Sequence, residues 1–206
     1  MAKHPVWGLT GNIGAGKSTV GAMLRALGAR VIDSDATVRT LLESDAAVMR
    51  EVRAAFPAAR RADGGIDRAA VAREVFADRE QLTLLQDLLY PAVGEVTDAL
   101  LAEATDAPAT FIEAINVVEG PSGGRLDGLW LVEADSELLV ERVVASGRLS
   151  ADQIRARLAM QADPDEKAEA FRGLRPERPI VRLDNNGSPE ELRTQVTARW
   201  NDLLAG

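Results

Sequence analysis

The stretch Gly8-Leu9-Thr10-Gly11-Asn12-Ile13-Gly14-Ala15-Gly16-Lys17-Ser18-Thr19 limits what this chain can fold into more than any other. A short apolar run, Val6 to Thr10, reads as a buried strand ended by Gly11. From Lys17 to Leu27, apolar Val20, Met23, Leu24 and Leu27 recur at helical spacing. Gly28 stops that helix, and Ala29 to Ile32 reads as a second strand closing on Asp33-Ser34-Asp35. The pattern is a βαβ unit with a glycine-rich first turn, which predicts an α/β fold around a parallel sheet.

Residues 11–18 fit G-x-x-x-x-G-K-[ST] throughout, with a strand before and an amphipathic helix after. Glycines let successive backbone N–H groups turn inward around a phosphate, and the helix N-terminus adds the positive end of its dipole. Gly11, Asn12, Ile13, Gly14, Ala15, Gly16, Lys17, Ser18 and Thr19 form the candidate ATP-binding set. Lys17 would reach the β- and γ-phosphates, and the Ser18 hydroxyl would complete a Mg²⁺ shell. Only Lys3, Lys17 and Lys167 are lysines in an otherwise arginine-based chain, which sets Lys17 apart. The alternative is a glycine-rich turn without a ligand. The dinucleotide fingerprint fits less well, because the glycines are spaced G-x-x-G-x-G.

With 206 residues, the chain has room for one compact domain. It has no cysteine, which excludes disulfides and thiolate metal sites, and His4 is its only histidine, which excludes His clusters and Ser-His-Asp triads. A net charge of −8 argues against broad nucleic-acid binding. No apolar run approaches membrane-spanning length and the N-terminus lacks a signal-peptide pattern, so a cytoplasmic protein with no membrane partner is expected. The sequence carries no signal for oligomeric state. A GTPase would need a downstream N-K-x-D, which is missing, and Asp184-Asn185-Asn186-Gly187 lies too near the C-terminus for a switch segment.

Farther along, a mostly helical stretch runs from about Ala36 to Glu103, broken at Phe56-Pro57 and Asp63-Gly64-Gly65. That is far more than one crossover helix needs, so it reads as an inserted helical lobe within a single 1–206 domain. Apolar runs at Thr110 to Val118 and Leu129 to Val132 read as strands, and Ser136 to Ala145 as a helix. Ser150 caps a predicted helix from Ala151 to Ala162, which Pro164-Asp165-Glu166 interrupts. A last strand, Pro179 to Leu183, turns through Asn185-Asn186-Gly187 into a helix from Pro189 to Leu204. A phosphate loop, an acceptor lobe and an arginine-bearing lid in this length suit a small-molecule kinase.

In this order of motifs the chain resembles the dephospho-CoA kinases, over nearly its whole length. The loop with its flanking strand, Val31-Ile32-Asp33-Ser34-Asp35 with Arg39 four residues on, and Ile66-Asp67-Arg68 are similar to that family's segments. So are Val75-Phe76, Leu88-Leu89-Tyr90-Pro91, Gln161 with Lys167, and Asn185-Asn186-Gly187. The resemblance implies a P-loop three-layer sandwich with a central parallel sheet, an acceptor-binding lobe at about 36–103 and a lid at about 146–165. It implies transfer of the ATP γ-phosphate to the ribose 3′-hydroxyl of dephospho-CoA, with Mg²⁺, giving coenzyme A and ADP in the last step of CoA synthesis. The competing readings are another small P-loop kinase acting on a nucleoside monophosphate or sugar, and a nucleotide-binding regulatory protein that has lost catalysis.

Asp35 stands at the carboxyl end of a strand, where α/β sheets place ligands. The resemblance gives it the acceptor hydroxyl to orient or deprotonate; the bland alternative for Asp35 is a helix N-cap, which Asp33 or Ser34 could serve equally well. Arg39, one helical turn on, is either an acceptor-phosphate ligand or a solvated arginine. By resemblance, Arg142 and Arg157 belong to the lid and neutralise the moving phosphoryl group; the alternative is exposed helix arginines. Resemblance also assigns Asp33, Tyr90, Asn116 and Glu119 to acceptor binding, Glu113 with Ser18 to the metal, and Asn185 to ATP. Lys167 is a weaker lid candidate.

The chain departs from the family pattern at three places. Tyr90-Pro91 replaces His-Pro, and Glu113-Ala114-Ile115-Asn116-Val117-Val118-Glu119 replaces D-x-P-L-L-x-E. Ser146 replaces a second lid arginine, for which Arg148 is the nearest substitute.

Overall fold

Residues 4–147 and 149–205 are described by a computed structural model, in which the chain enters as strand β1 (Val6–Thr10). The glycine-rich loop leads to helix α1 (Lys17–Ala26) and then β2 (Arg30–Asp33). Strands β3 (Thr110–Glu113), β4 (Gly128–Glu133) and β5 (Ile180–Asp184) complete a five-stranded sheet of order β2-β3-β1-β4-β5. All four strand pairings are parallel, and β1 lies at the centre between β3 and β4. The expected α/β fold with a central parallel sheet is borne out.

Alternate side chains along each strand point to opposite faces. Leu9, Phe111, Trp130 and Val132 pack with Val20 and Leu24 of α1 and with Leu192, Val196 and Trp200 of α9 (Pro189–Ala205). Ile112 and Leu129 take the other face with Val117, Val118, Leu126 and Phe171 of α8 (Pro164–Leu174). The unit is therefore three-layered: α1 and α9, the sheet, then α8. Val20 and Leu24 are wholly buried, and each such side chain contributes about 1.5–3 kcal/mol.

The chain divides into two compact units: the described residues of Met1–Asp33 and Leu101–Gly206, and Ser34–Leu100. The second is helical: α2 (Ser34–Ser44), α3 (Ala46–Ala55), α4 (Arg68–Val75) and α5 (Arg79–Ala102), which runs through Pro91. Asp45 and Asp67 cap α3 and α4 by accepting from the amides two and three residues on. Leu41, Leu42, Val48, Val52, Phe56, Val71, Val75, Leu89 and Val93 give this unit a core of its own. The helix breaks at Phe56-Pro57 and Asp63-Gly64-Gly65 fall where the sequence put them.

Two sequence expectations need correction. The strand predicted over Thr110 to Val118 ends at Glu113, because the Ile115 carbonyl is taken by side chains rather than by a neighbouring strand. Val117 and Val118 are apolar because they plug the α8 face of the sheet from a loop. The helix predicted over Ala151 to Ala162 ends earlier, as α7 (Ala151–Ala159), with the Ser150 cap as expected. Pro164-Asp165-Glu166 is then the first turn of α8, not an interruption. Proline lacks only an N–H that the first helical position does not use, and Asp163 with Glu166 forms a reciprocal capping box. Among the described residues, no helix is long and apolar enough to cross a membrane.

Candidate active site

β1 delivers the loop to the carboxyl end of the sheet, where ligands of parallel α/β sheets bind. Gly14 (φ +82°) passes against α6 (Ser136–Ala145): a Cβ there would stand 2.9 Å from the Leu139 carbonyl oxygen and from Val143 Cγ2. Gly16 (φ +99°) occupies the position just before α1, and a Cβ there would run into Nδ2 of Asn185. Only glycine meets both demands, of left-handed backbone and of empty space. α1 starts with no side-chain cap and no acidic residue in its first turn, so its N-terminal end suits an anion.

The loop is held from several elements. Asn185, at the end of β5, donates from Nδ2 to the Ala15 carbonyl at 2.8 Å, and its own amide donates to the Glu133 carbonyl. The Ile13 amide donates to Oε1 of Gln161, in the link between α7 and α8, at 3.0 Å. Lys17 is 8% exposed and its Nζ donates to the carbonyls of Gly11 (2.9 Å) and Asn12 (3.3 Å). The amine thus curls back over the loop where phosphate oxygens would lie. Asn12 Oδ1 and Arg142 Nη1 are buried with no hydrogen-bond partner among the described residues. An unmet guanidinium N–H on α6, the helix that flanks Gly14, is a donor awaiting an acceptor.

Glu113 ends β3 beside the loop. Ser18 donates from Oγ to Glu113 Oε1 at 2.8 Å, and Asp33 of β2 is the register neighbour of Glu113. Burial pushes the Glu113 carboxyl up; the Ser18 hydrogen bond opposes it, Asp33 adds to it, and Lys17 and Arg25 oppose it. A buried carboxylate beside a second acid and a hydroxyl forms a hard-oxygen set that suits Mg²⁺, which keeps most of its other ligands as water and phosphate. Among the described residues, no three His, Cys, Asp or Glu side chains cluster as a protein-only metal cage.

After β3, Thr10 Oγ1 and Lys167 Nζ both donate to the Ile115 carbonyl, at 2.7 and 2.9 Å. Lys167 is wholly buried, with Glu119 Oε1 4.0 Å away, and burial pulls its amine below the ordinary range against the pull of Glu119 and Glu166. Asn116 is half-buried and Glu119 exposed in the same loop. Arg157 of α7 is half-buried, which draws its guanidinium pKa down while leaving it charged at any working pH. Ser146 closes α6 by donating to the Val143 carbonyl, and Arg148 lies outside the described residues.

The structure brings together Gly11 to Ser18, Glu113, Asp33 and Asn185 in the first unit. Asp35, Arg39 and Tyr90 lie in the second: Asp35 and Arg39 are exposed, one turn apart on α2, and Tyr90 is half-buried on α5. Asp35 is the second residue of α2, past the cap position, so the N-cap alternative does not apply to it. Gln161 was recognisable from sequence as a marker but not as the partner of a loop amide.

A family model described as dephospho-CoA kinase matches residues 5–172. The chain belongs to the dephospho-CoA kinase family. It is 36% identical over 202 residues to the dephospho-CoA kinase of Geobacter metallireducens, covering 97% of this chain and 96% of that one. It is 38% identical over 208 residues to a dephospho-CoA kinase of Thermus thermophilus, covering 100% and 95%. A crystal structure of a Thermus thermophilus protein superposes with TM-score 0.76 at 36% identity, over 98% of this chain and 99% of that one. The dephospho-CoA kinase from Campylobacter jejuni shares the fold, at TM-score 0.65 and 20% identity over 96% of each chain. The resemblance read from the motifs is borne out, and the chain is a kinase of this family.

Proposed function

We propose that the chain performs its family's reaction, ATP-dependent phosphorylation of dephospho-CoA, at the ribose 3′-hydroxyl and with the residues assembled around the loop. The observation that carries this reading is the single constellation of Lys17, the Gly11–Ser18 loop, Ser18 and Glu113, in a member of that family. The acceptor oxygen attacks the γ-phosphorus while the bond to the β–γ bridging oxygen breaks and its electron pair leaves with ADP. Asp35 orients the hydroxyl and takes its proton. Lys17 and the loop amides hold the β- and γ-phosphates, and Asn185 keeps the loop in shape. Arg142 and Arg157, the former with an unmet buried N–H, neutralise the equatorial oxygens.

Mg²⁺ would be held by the Ser18 hydroxyl and, through Glu113 with Asp33 beside it, by the adjoining acids. Bound there it neutralises charge on the β- and γ-oxygens. Arg39, Tyr90, Asn116 and Glu119 are assigned to the acceptor, and residues 146–165 to the lid. A cytoplasmic location fits the family. The test is a panel of acceptors with Mg-ATP, read by ADP release: dephospho-CoA, UMP, CMP and a sugar. Turnover with dephospho-CoA alone is expected. Turnover with UMP or CMP and none with dephospho-CoA would overturn the substrate, and ATP binding without transfer would overturn the chemistry.

A further inference from the structure

Gly21 sits in the interior of α1, buried, with no positive φ to require a glycine. A glycine inside a helix costs about 1 kcal/mol relative to alanine, so something other than backbone geometry uses the missing side chain. A Cβ built on Gly21 would stand 2.7 Å from Glu113 Oε2 and 3.7 Å from Glu113 Cδ, with Arg25 Nη1 at 3.5 Å. The other oxygen of that carboxylate, Oε1, takes the Ser18 hydroxyl at 2.8 Å. One face of the carboxylate is therefore held by Ser18 and the other lies in the space that Gly21 leaves.

We infer that Gly21 is a positioning residue for Glu113: its bare Cα makes the slot that lets a glutamate, reaching from β3, set its carboxylate beside Ser18. A methyl at position 21 meets the far end of a flexible side chain, not backbone, so the carboxylate moves while the helix keeps its place. An aspartate at position 113 is one methylene shorter and does not reach into the slot. In that background the same methyl meets no oxygen, and the two substitutions are coupled rather than additive.

This rests on the reading that Ser18 and Glu113 hold Mg²⁺, and the test separates the two. Gly21→Ala, Glu113→Asp, the double variant and Glu113→Gln are compared by thermal unfolding, by calorimetric ADP affinity with Mg²⁺ and in EDTA, and by the Mg²⁺ concentration for half-maximal turnover. Gly21→Ala is expected to raise that Mg²⁺ requirement roughly tenfold, a loss of about 1.4 kcal/mol. Its melting temperature should be equal or higher, and its ADP affinity in EDTA unchanged. Adding Gly21→Ala to Glu113→Asp should change the Mg²⁺ requirement by less than about twofold.

A parental Mg²⁺ requirement in Gly21→Ala overturns the inference, as do additive penalties in the double variant. Unfolding of Gly21→Ala, or an equal loss of ADP affinity in EDTA, overturns it too, because either would put the displacement in the backbone. A Glu113→Gln enzyme with the parental Mg²⁺ requirement instead overturns the underlying assignment of Glu113 to the metal.

Discussion

Replacing Lys17 by alanine removes the one ammonium that the loop folds over itself. Its Nζ lies 2.9 Å from the Gly11 carbonyl and 3.3 Å from the Asn12 carbonyl, at 8% exposure. Against a phosphate charge about 3 Å away, at an effective dielectric of about 20, that ammonium contributes about 5 kcal/mol. Turning toward phosphate gives up two carbonyl hydrogen bonds of about 1 kcal/mol each, which leaves about 3 kcal/mol. Lys17→Ala should therefore lower kcat/KM roughly a hundredfold or more, read as ADP release with dephospho-CoA and Mg-ATP. The two carbonyl bonds are lost as well, so stability should fall by about 2 kcal/mol, or about 4–8 °C in Tm for a chain of this length, followed by circular dichroism, with the protein still folded. Lys17→Met, which keeps the apolar stem, should lose as much activity as alanine does. A Lys17→Ala enzyme within about threefold of the parent, and melting like it, would refute the electrostatic reasoning.

Asn185→Ala removes the donor to the buried Ala15 carbonyl, which should cost about 1–3 kcal/mol in urea unfolding and weaken ADP binding in calorimetry; unchanged ADP affinity would separate Asn185 from the loop's shape. Burial holds the Lys167 amine below its ordinary value, so from that depressed value up to about pH 10.4 the unfolded chain binds a proton the folded chain has shed. Stability from this group accordingly rises as pH climbs through that window and is lost as pH falls through the folded value. Unfolding free energies across alkaline pH should show this slope in the parent and not in Lys167→Met, and identical slopes would contradict the burial argument.

Much of the first unit was legible because its signals are local. A strand, a glycine turn and a helix follow one another from Val6 to Ala26, and the structure keeps all three within a residue of their predicted limits. What escaped involved partners far apart in sequence. Ile115 lies in an apolar run that reads as strand, yet its carbonyl is claimed by Thr10 and Lys167, and neither bond leaves a mark on the local pattern. α8 is obscured for a different reason: Pro164 reads as an ending, although Asp163 and Glu166, three apart, already spell a helix start. Gly21 shows no periodicity or motif of its own, and its meaning depends on a carboxylate 92 residues on.

The aromatic residues of the sheet unit carry a consequence for spectroscopy. Trp7, Trp130 and Trp200 are the chain's three tryptophans, and all pack around Phe111 on the α1 face of the sheet. Residues 34–100 contain none, although they hold four helices and a core of their own. Indole emission from the natural chain is thus a signal of the sheet unit alone, whereas far-ultraviolet ellipticity sums both units. Recording the two signals in one denaturant series gives the cooperativity of the whole chain directly. Coincident midpoints mean a single transition, and an ellipticity change that precedes the emission change marks the helical unit opening first.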